Sequence, residues 1–168
     1  MPSCQAEKRL FEILRFDPAA DTAALATLHA ASFPDPWDAS SLRTTLAAPG
    51  AFAFHHPHGF VVARTAAGEA EILTLAVVPA ARGKGLGRAL LTAAIAEAKT
   101  MGAETMFLEV ASDNVAALAL YARLGFAKVG MRKGYYDNPR TLPMRQESPR
   151  PRSRDAVVLR LPLPAKFA

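Results

Sequence analysis

The chain has 168 residues, 51% of them apolar and 21% charged, with a formal net charge of +5 and a single cysteine. A prior of about 150 residues per domain predicts one domain over 1–168, and a chain of this size can bury roughly 70% of its unfolded surface. The apolar share excludes a disordered chain, and a lone Cys4 excludes an internal disulfide framework or cysteine zinc site. No apolar run approaches the ~20 residues of a membrane span. The opening Met1 to Arg9 lacks the charged-then-apolar order of a secretion signal, so a cytoplasmic setting is expected.

The charge is unevenly placed. Residues 1–126 hold 10 Lys/Arg against 12 Asp/Glu, whereas residues 127–168 hold 10 against 3. A basic C-terminal quarter suits an anionic partner such as RNA, or serves only as a solvated tail.

In chain order, Arg9 to Phe16 mixes aromatic and branched residues with charges and predicts a first strand. Asp21 is a candidate N-cap for a helix with Leu25 and Leu28 on one face, stopped at Ser32-Phe33-Pro34. After the turn at Asp35-Pro36-Trp37-Asp38, Asp38 or Ser40 can cap a short helix ending near Pro49-Gly50. Ala51 to His55 and Gly59 to Thr65 form a hairpin pattern, and Glu71 to Val78 is an apolar, central-type strand.

A glycine turn, Arg82-Gly83-Lys84-Gly85-Leu86-Gly87, precedes a helix marked by Leu90, Leu91, Ile95 and Ala98 and ended by Met101-Gly102. Thr105 to Val110 is the next strand. Asp113 or Asn114 caps a helix running through Leu118 and Tyr121 to Leu124-Gly125. Phe126 to Met131 and Ala156 to Leu161 supply two more strands. Between them, Asn138 to Arg154 is rich in Pro, Arg and Ser, without periodicity, and is expected to be a long basic loop. Early hairpin strands followed by alternating strands and helices predict an α/β fold with one mixed sheet and helices on both faces.

Glycines between an apolar strand and a helix expose backbone N–H groups at a helix N-terminus, which favours phosphate oxygens. Arg82, Lys84 and Arg88 add positive charge around them. A P-loop is excluded because Gly83-Lys84 is followed by Gly85 instead of Ser or Thr. A dinucleotide fingerprint is excluded because Arg88 stands where its third glycine belongs.

The pattern R-x-x-G-x-G from Arg82 to Gly87 resembles the pyrophosphate-binding motif of the GNAT family of N-acetyltransferases. The likeness extends through Leu75-Ala76-Val77-Val78-Pro79, Arg88-Ala89-Leu90-Leu91, Leu108-Glu109-Val110, Asn114-Val115-Ala116-Ala117 and Leu120-Tyr121-Ala122-Arg123-Leu124-Gly125-Phe126, covering Glu71 to Tyr136. Within the family, Phe33-Pro34-Asp35-Pro36-Trp37, Gly134-Tyr135-Tyr136 and Asp155-Ala156 resemble the bacterial ribosomal-protein-alanine N-acetyltransferases. The longer, basic 138–154 segment departs from them.

The resemblance implies an acetyltransferase using acetyl-CoA as co-substrate, and a monomer is expected. It implies cofactor contacts at Leu75, Ala76, Val77, Arg82, Gly83, Lys84, Gly85, Leu86, Gly87, Arg88, Asn114 and Tyr121. The acceptor would be a protein N-terminal amine, on a ribosomal protein starting with Ala; separately, the charge of the basic quarter makes ribosomal RNA its expected contact.

Acetyl transfer to an amine needs a base, an oxyanion donor and help for the leaving thiolate. Glu109, mid-strand between Leu108 and Val110, suits the base, or an ion pair with a nearby cation. Tyr121, seven residues after Asn114, faces the same side of its helix, and in similar enzymes that Tyr protonates the thiolate. Tyr121 also fits an ordinary core position, and Asn114 an ordinary cap. A backbone N–H near Val77 is the expected oxyanion donor. Trp37, Glu109, Tyr135 and Tyr136 are candidate acceptor contacts. His29, His55, His56 and His58 lie in a helix and a hairpin turn without a carboxylate at ligand spacing, and no metal is expected. Alternatives are a small amine or a Lys side chain as acceptor, or a non-catalytic coenzyme A or RNA binder.

Overall fold

The computed structural model describes residues 11–133 and 155–164. The 138–154 segment and Tyr135 and Tyr136 lie outside the described residues. Contacts group the chain into two compact units, Met1–Met106 with Pro162–Ala168, and Phe107–Leu161. The strands belong to a seven-stranded mixed sheet, as the alternation of elements predicts.

In the first unit, β1 (Leu14–Arg15), β2 (Ala51–His56), β3 (Gly59–Ala66) and β4 (Glu69–Val77) pair antiparallel in that order. Among the described residues of the expected first strand, Leu14 and Arg15 pair, with His55 and Phe54 of β2, while Arg9 and Leu10 lie outside the described residues. Helix α1 (Ala23–Ala30) begins one residue later than expected, with Thr22 at the N-cap and no side-chain cap bond. The Asp21 carboxylate still accepts from the Ala23 N–H at 2.9 Å, while the Thr22 hydroxyl donates to the Ala39 carbonyl. Asp38 caps α2 (Ala39–Ala47), accepting from the Ser41 N–H at 2.7 Å. That bond holds its carboxyl below the usual range.

Four consecutive β3 residues, Phe60 to Ala63, are buried, so both faces of this strand are covered. On one face Phe60, Val62, Ala53 and Ala76 pack with Leu25 of α1, Leu42 and Leu46 of α2, and Phe16. Helix α3 (Leu86–Thr100) packs on β2, β3 and β4 and buries Leu86, Leu90, Leu91, Ala94 and Ala98. Ala94 takes the core position that the spacing gave to Ile95, which is half-buried. Each leucine removed from water there is worth about 1.5–3 kcal/mol. Arg15 and Glu97 form an ion pair at 2.8 Å.

In the second unit, β5 (Thr105–Ala111), which starts in the first, leads to α4 (Val115–Arg123). The edge pair β6 (Ala127–Arg132) and β7 (Ala156–Pro162) follows, antiparallel. Asn114 caps α4, accepting from the Ala117 N–H at 3.2 Å, and Gly125 ends it at φ +93°. Among the described residues, no helix is long and apolar enough to cross a membrane.

Candidate active site

The sequence runs from strand to glycine turn to helix, and the first unit carries the glycine-turn candidates there. The β3–β4 register shifts at Val62/Ala63, leaving Leu73 unpaired; it packs against the same cluster as Ala76. Beyond the bulge, Leu75 and Val77 are half-buried opposite Val61 and Gly59. A side chain at Gly59 would put its Cβ 2.6 Å from the Ala76 carbonyl oxygen, so only glycine lets β3 approach the end of β4.

Past Val77 the chain makes one 3₁₀ turn, Pro79–Ala81. Arg82 then folds back: its Nε donates to the Val77 carbonyl at 2.9 Å, and its Nη2 reaches the Ser32 carbonyl at 3.5 Å. Lys84 Nζ donates to the Ala80 carbonyl at 3.0 Å. Two of the three cations expected to attract phosphate thus also brace the turn that carries the glycines.

Gly83 and Gly85 take φ +73° and +92°, which L side chains rarely adopt. Gly85 is the N-cap of α3 and supplies no side-chain cap bond. The first N–H groups of an α-helix have no intrahelical carbonyl, so those of Leu86, Gly87 and Arg88 point out of the helix end with its positive dipole. This is an anion-binding arrangement, and a phosphate fits its chemistry.

The second unit carries the other candidates. Glu109 lies on β5, its side chain 21% exposed, and pairs with Arg132 Nε at 3.0 Å; the arginine side chain is 61% exposed. Both readings of Glu109 therefore meet in one group, a half-buried carboxylate that already has a cationic partner. Tyr121 is buried on α4, edge-on to Phe126 with ring centroids 5.8 Å apart. Asn114 is exposed and caps its helix. A cleft of about 440 Å³ in this unit is lined by Leu118, Ala122, Phe126, Met131, Val157 and Leu159, among others.

Trp37, expected in an acceptor groove, is half-buried in the turn between α1 and α2 and stacks on His29, with centroids 5.4 Å apart at 15°. The sequence weighed His29 only as a metal ligand, not as a partner of Trp37. The available signal is an apolar-flanked histidine four residues before Phe33 and eight before Trp37. Among the described residues, no group of three His, Cys, Asp or Glu side chains can hold a metal ion.

The acetyltransferase (GNAT) family model matches residues 22–126, and the chain belongs to that family. It is similar to the ribosomal protein bS18-alanine N-acetyltransferase of Salmonella typhimurium, 36% identical over 104 residues, which cover 62% of this chain and 63% of that protein. The aligned part thus spans less than two thirds of that relative. It is 38% identical over 128 residues to the N-alpha-acetyltransferase RimI of Mycobacterium tuberculosis, covering 70% of this chain and 79% of that one. Among solved structures, the ribosomal-protein-S18-alanine N-acetyltransferase from Escherichia coli superposes with a TM-score of 0.76 at 26% identity. That match covers 95% of this chain and 97% of the other.

Proposed function

We propose that the chain is an N-acetyltransferase that moves an acetyl group from acetyl-CoA to the N-terminal amine of a protein, a ribosomal protein beginning with Ala. The observation that carries this reading is the open N-terminus of α3 behind the left-handed Gly85, at the end of β4. Relatives named for N-terminal and alanine acetylation support the choice of acceptor.

When bound, acetyl-CoA supplies a thioester whose carbonyl carbon forms a bond to the acceptor nitrogen as the carbon–sulfur bond breaks. The N–H groups of residues 83 to 88 hold the pyrophosphate. Glu109 takes the proton that the amine must lose, and Tyr121 Oη gives one to the departing sulfur. A backbone N–H near Val77 donates to the carbonyl oxygen as it gains charge. Leu75, Ala76 and Asn114 line the cofactor, and Trp37, Tyr135 and Tyr136 contact the acceptor.

The test is turnover of acetyl-CoA against peptides with a free N-terminal Ala, peptides with a blocked terminus and a free Lys, and small amines. Preferred turnover of the N-terminal Ala peptides supports the reading. Equal or better turnover of Lys peptides or small amines replaces it with the alternative, and no turnover at all overturns it.

The basic quarter extends the same reading. The enzyme acts as a monomer, and Arg140, Arg145, Arg150, Arg152 and Arg154 contact ribosomal RNA when the acceptor sits on a ribosomal particle. Activity on particles then falls steeply with salt, while activity on short peptides does not. An unchanged salt dependence after deletion of residues 140–152 would remove the RNA contact.

A further inference from the structure

His29 sits on α1, 3% exposed, and each ring nitrogen has its own partner. The Trp37 backbone N–H donates to Nδ1 at 3.1 Å, and Nε2 lies 3.1 Å from the Thr74 hydroxyl on β4. A backbone N–H can only donate, so Nδ1 must carry a lone pair and the ring proton belongs on Nε2, directed at Thr74. The ring is also enclosed by aromatics. Phe33 stacks on one side at 4.4 Å and 29°, Trp37 stacks at 5.4 Å and 15°, and Phe60 of β3 lies tilted at 6.0 Å.

We infer that His29 is a positioning residue: as the neutral imidazole it ties the Phe33–Trp37 turn to β4 and so sets where the acceptor peptide meets Trp37. The inference rests on the proposed acceptor role of that turn. The tie joins α1 and the turn that follows it to β4, whose Thr74 lies 45 residues further along the chain. Its Nδ1 bond is made to backbone, so it fixes the path of the turn as well as one side chain.

Protonation would place an N–H on Nδ1 against the Trp37 N–H, two donors facing each other, and would break the tie. Burial lowers the His29 pKa, which favours the neutral form. The groups facing the ring, Phe33 and Trp37 from the turn, Phe60 from β3 and Thr74 from β4, carry no charge. Ionisable groups on the packed elements are Asp35 and Asp38 around the turn, Arg43 of α2, Arg64 of β3, and Glu69 and Glu71 of β4. Arg82 reaches the turn through the Ser32 carbonyl. None of these counts among the influences that move His29.

Trp37 is the only tryptophan in the chain, so its fluorescence reports the contact directly. A protonated imidazole quenches a stacked indole; a neutral one does so far less. In the full chain, Trp37 emission is expected to fall in a single titration with its midpoint below 6.5, and His29→Asn abolishes that titration. The Asn amide oxygen stands in for Nδ1 and keeps the Trp37 bond, whereas His29→Gln places its amide near Nε2 and loses it. His29→Gln is therefore expected to raise KM for an N-terminal Ala peptide roughly tenfold, the scale of one lost buried hydrogen bond. His29→Asn keeps the Trp37 bond but loses the Thr74 one, so its KM rises clearly less than that of His29→Gln, and coenzyme A affinity is unchanged in both.

Absence of the fluorescence titration, equal KM losses in both variants, or an unchanged KM in His29→Gln would each overturn the inference. If no peptide is acetylated by the wild type, the proposed function has failed instead, and the fluorescence titration still decides whether His29 holds the turn.

Discussion

Glu109 and Arg132 form an ion pair across 3.0 Å in which the carboxylate is far less exposed than the guanidinium. If Glu109 accepts the proton of the incoming amine, Glu109→Gln lowers turnover by roughly 10²–10⁴. Coenzyme A affinity, read by calorimetry, should stay at the wild-type value. Arg132→Met removes only a mostly exposed partner, so chemical denaturation should show a stability change below about 1 kcal/mol. A Glu109→Gln variant with wild-type turnover would remove the carboxylate from the reaction.

Gly85 sits at φ +92°, and among the described residues an added Cβ would meet only Phe11, at an ordinary 3.7 Å. The cost of a side chain there is therefore conformational, about 1–2 kcal/mol for a left-handed residue, rather than a clash. Gly85→Val should distort the entrance to α3 and weaken acetyl-CoA binding at least tenfold, about 1.4 kcal/mol. Calorimetric titration checks it, and an unchanged affinity would move the pyrophosphate elsewhere.

Gly59 presents the opposite case. A Cβ there would lie 2.6 Å from the Ala76 carbonyl oxygen and 3.3 Å from the Val77 Cα, both backbone atoms that can yield only if β4 moves. Gly59→Ala should destabilise the protein by roughly 1–3 kcal/mol, as overpacking does. Thermal denaturation gives the comparison, with Gly130→Ala as a control because its φ is not left-handed and an added Cβ meets the Val158 side chain at an ordinary 3.7–3.8 Å.

These two glycines mark how far the sequence could be read. Punctuation that acts locally was legible: Asp38 and Asn114 as caps, Gly102 and Gly125 as helix stops, and the glycine turn before α3. What was hidden depends on partners distant in the chain. The extent of β1 is set by β2, and the bulge at Leu73 by the β3 register. The double use of Arg82 needs the Ser32 carbonyl, fifty residues upstream. Asp21 lost the cap position because Thr22 reaches across to Ala39 and holds the helix entry one residue later. For Glu109 the sequence left two roles open because its cation, Arg132, arrives from another strand.

His29 gives a stability dependence whose sign follows from its burial. Its folded pKa lies below the ordinary 6.5, so between that value and the lower folded one the unfolded chain binds more protons. The stability that His29 contributes is present above pH 6.5 and is lost as pH falls through the folded value. Denaturation midpoints of wild type and His29→Asn, measured from pH 7.5 down to about 4.5, should show a steeper acid loss in the wild type. Parallel curves would mean that the imidazole titrates alike in both states.

The central claim is that the acceptor is an N-terminal amine. A peptide that begins with a free Ala and carries one internal Lys offers both amines at once. After incubation with acetyl-CoA and the full chain, fragmentation mass spectrometry locates the acetyl group. The account predicts it on the Ala nitrogen, with the Lys unmodified and the product strongly reduced in Glu109→Gln; an acetyl group on the Lys side chain would contradict it.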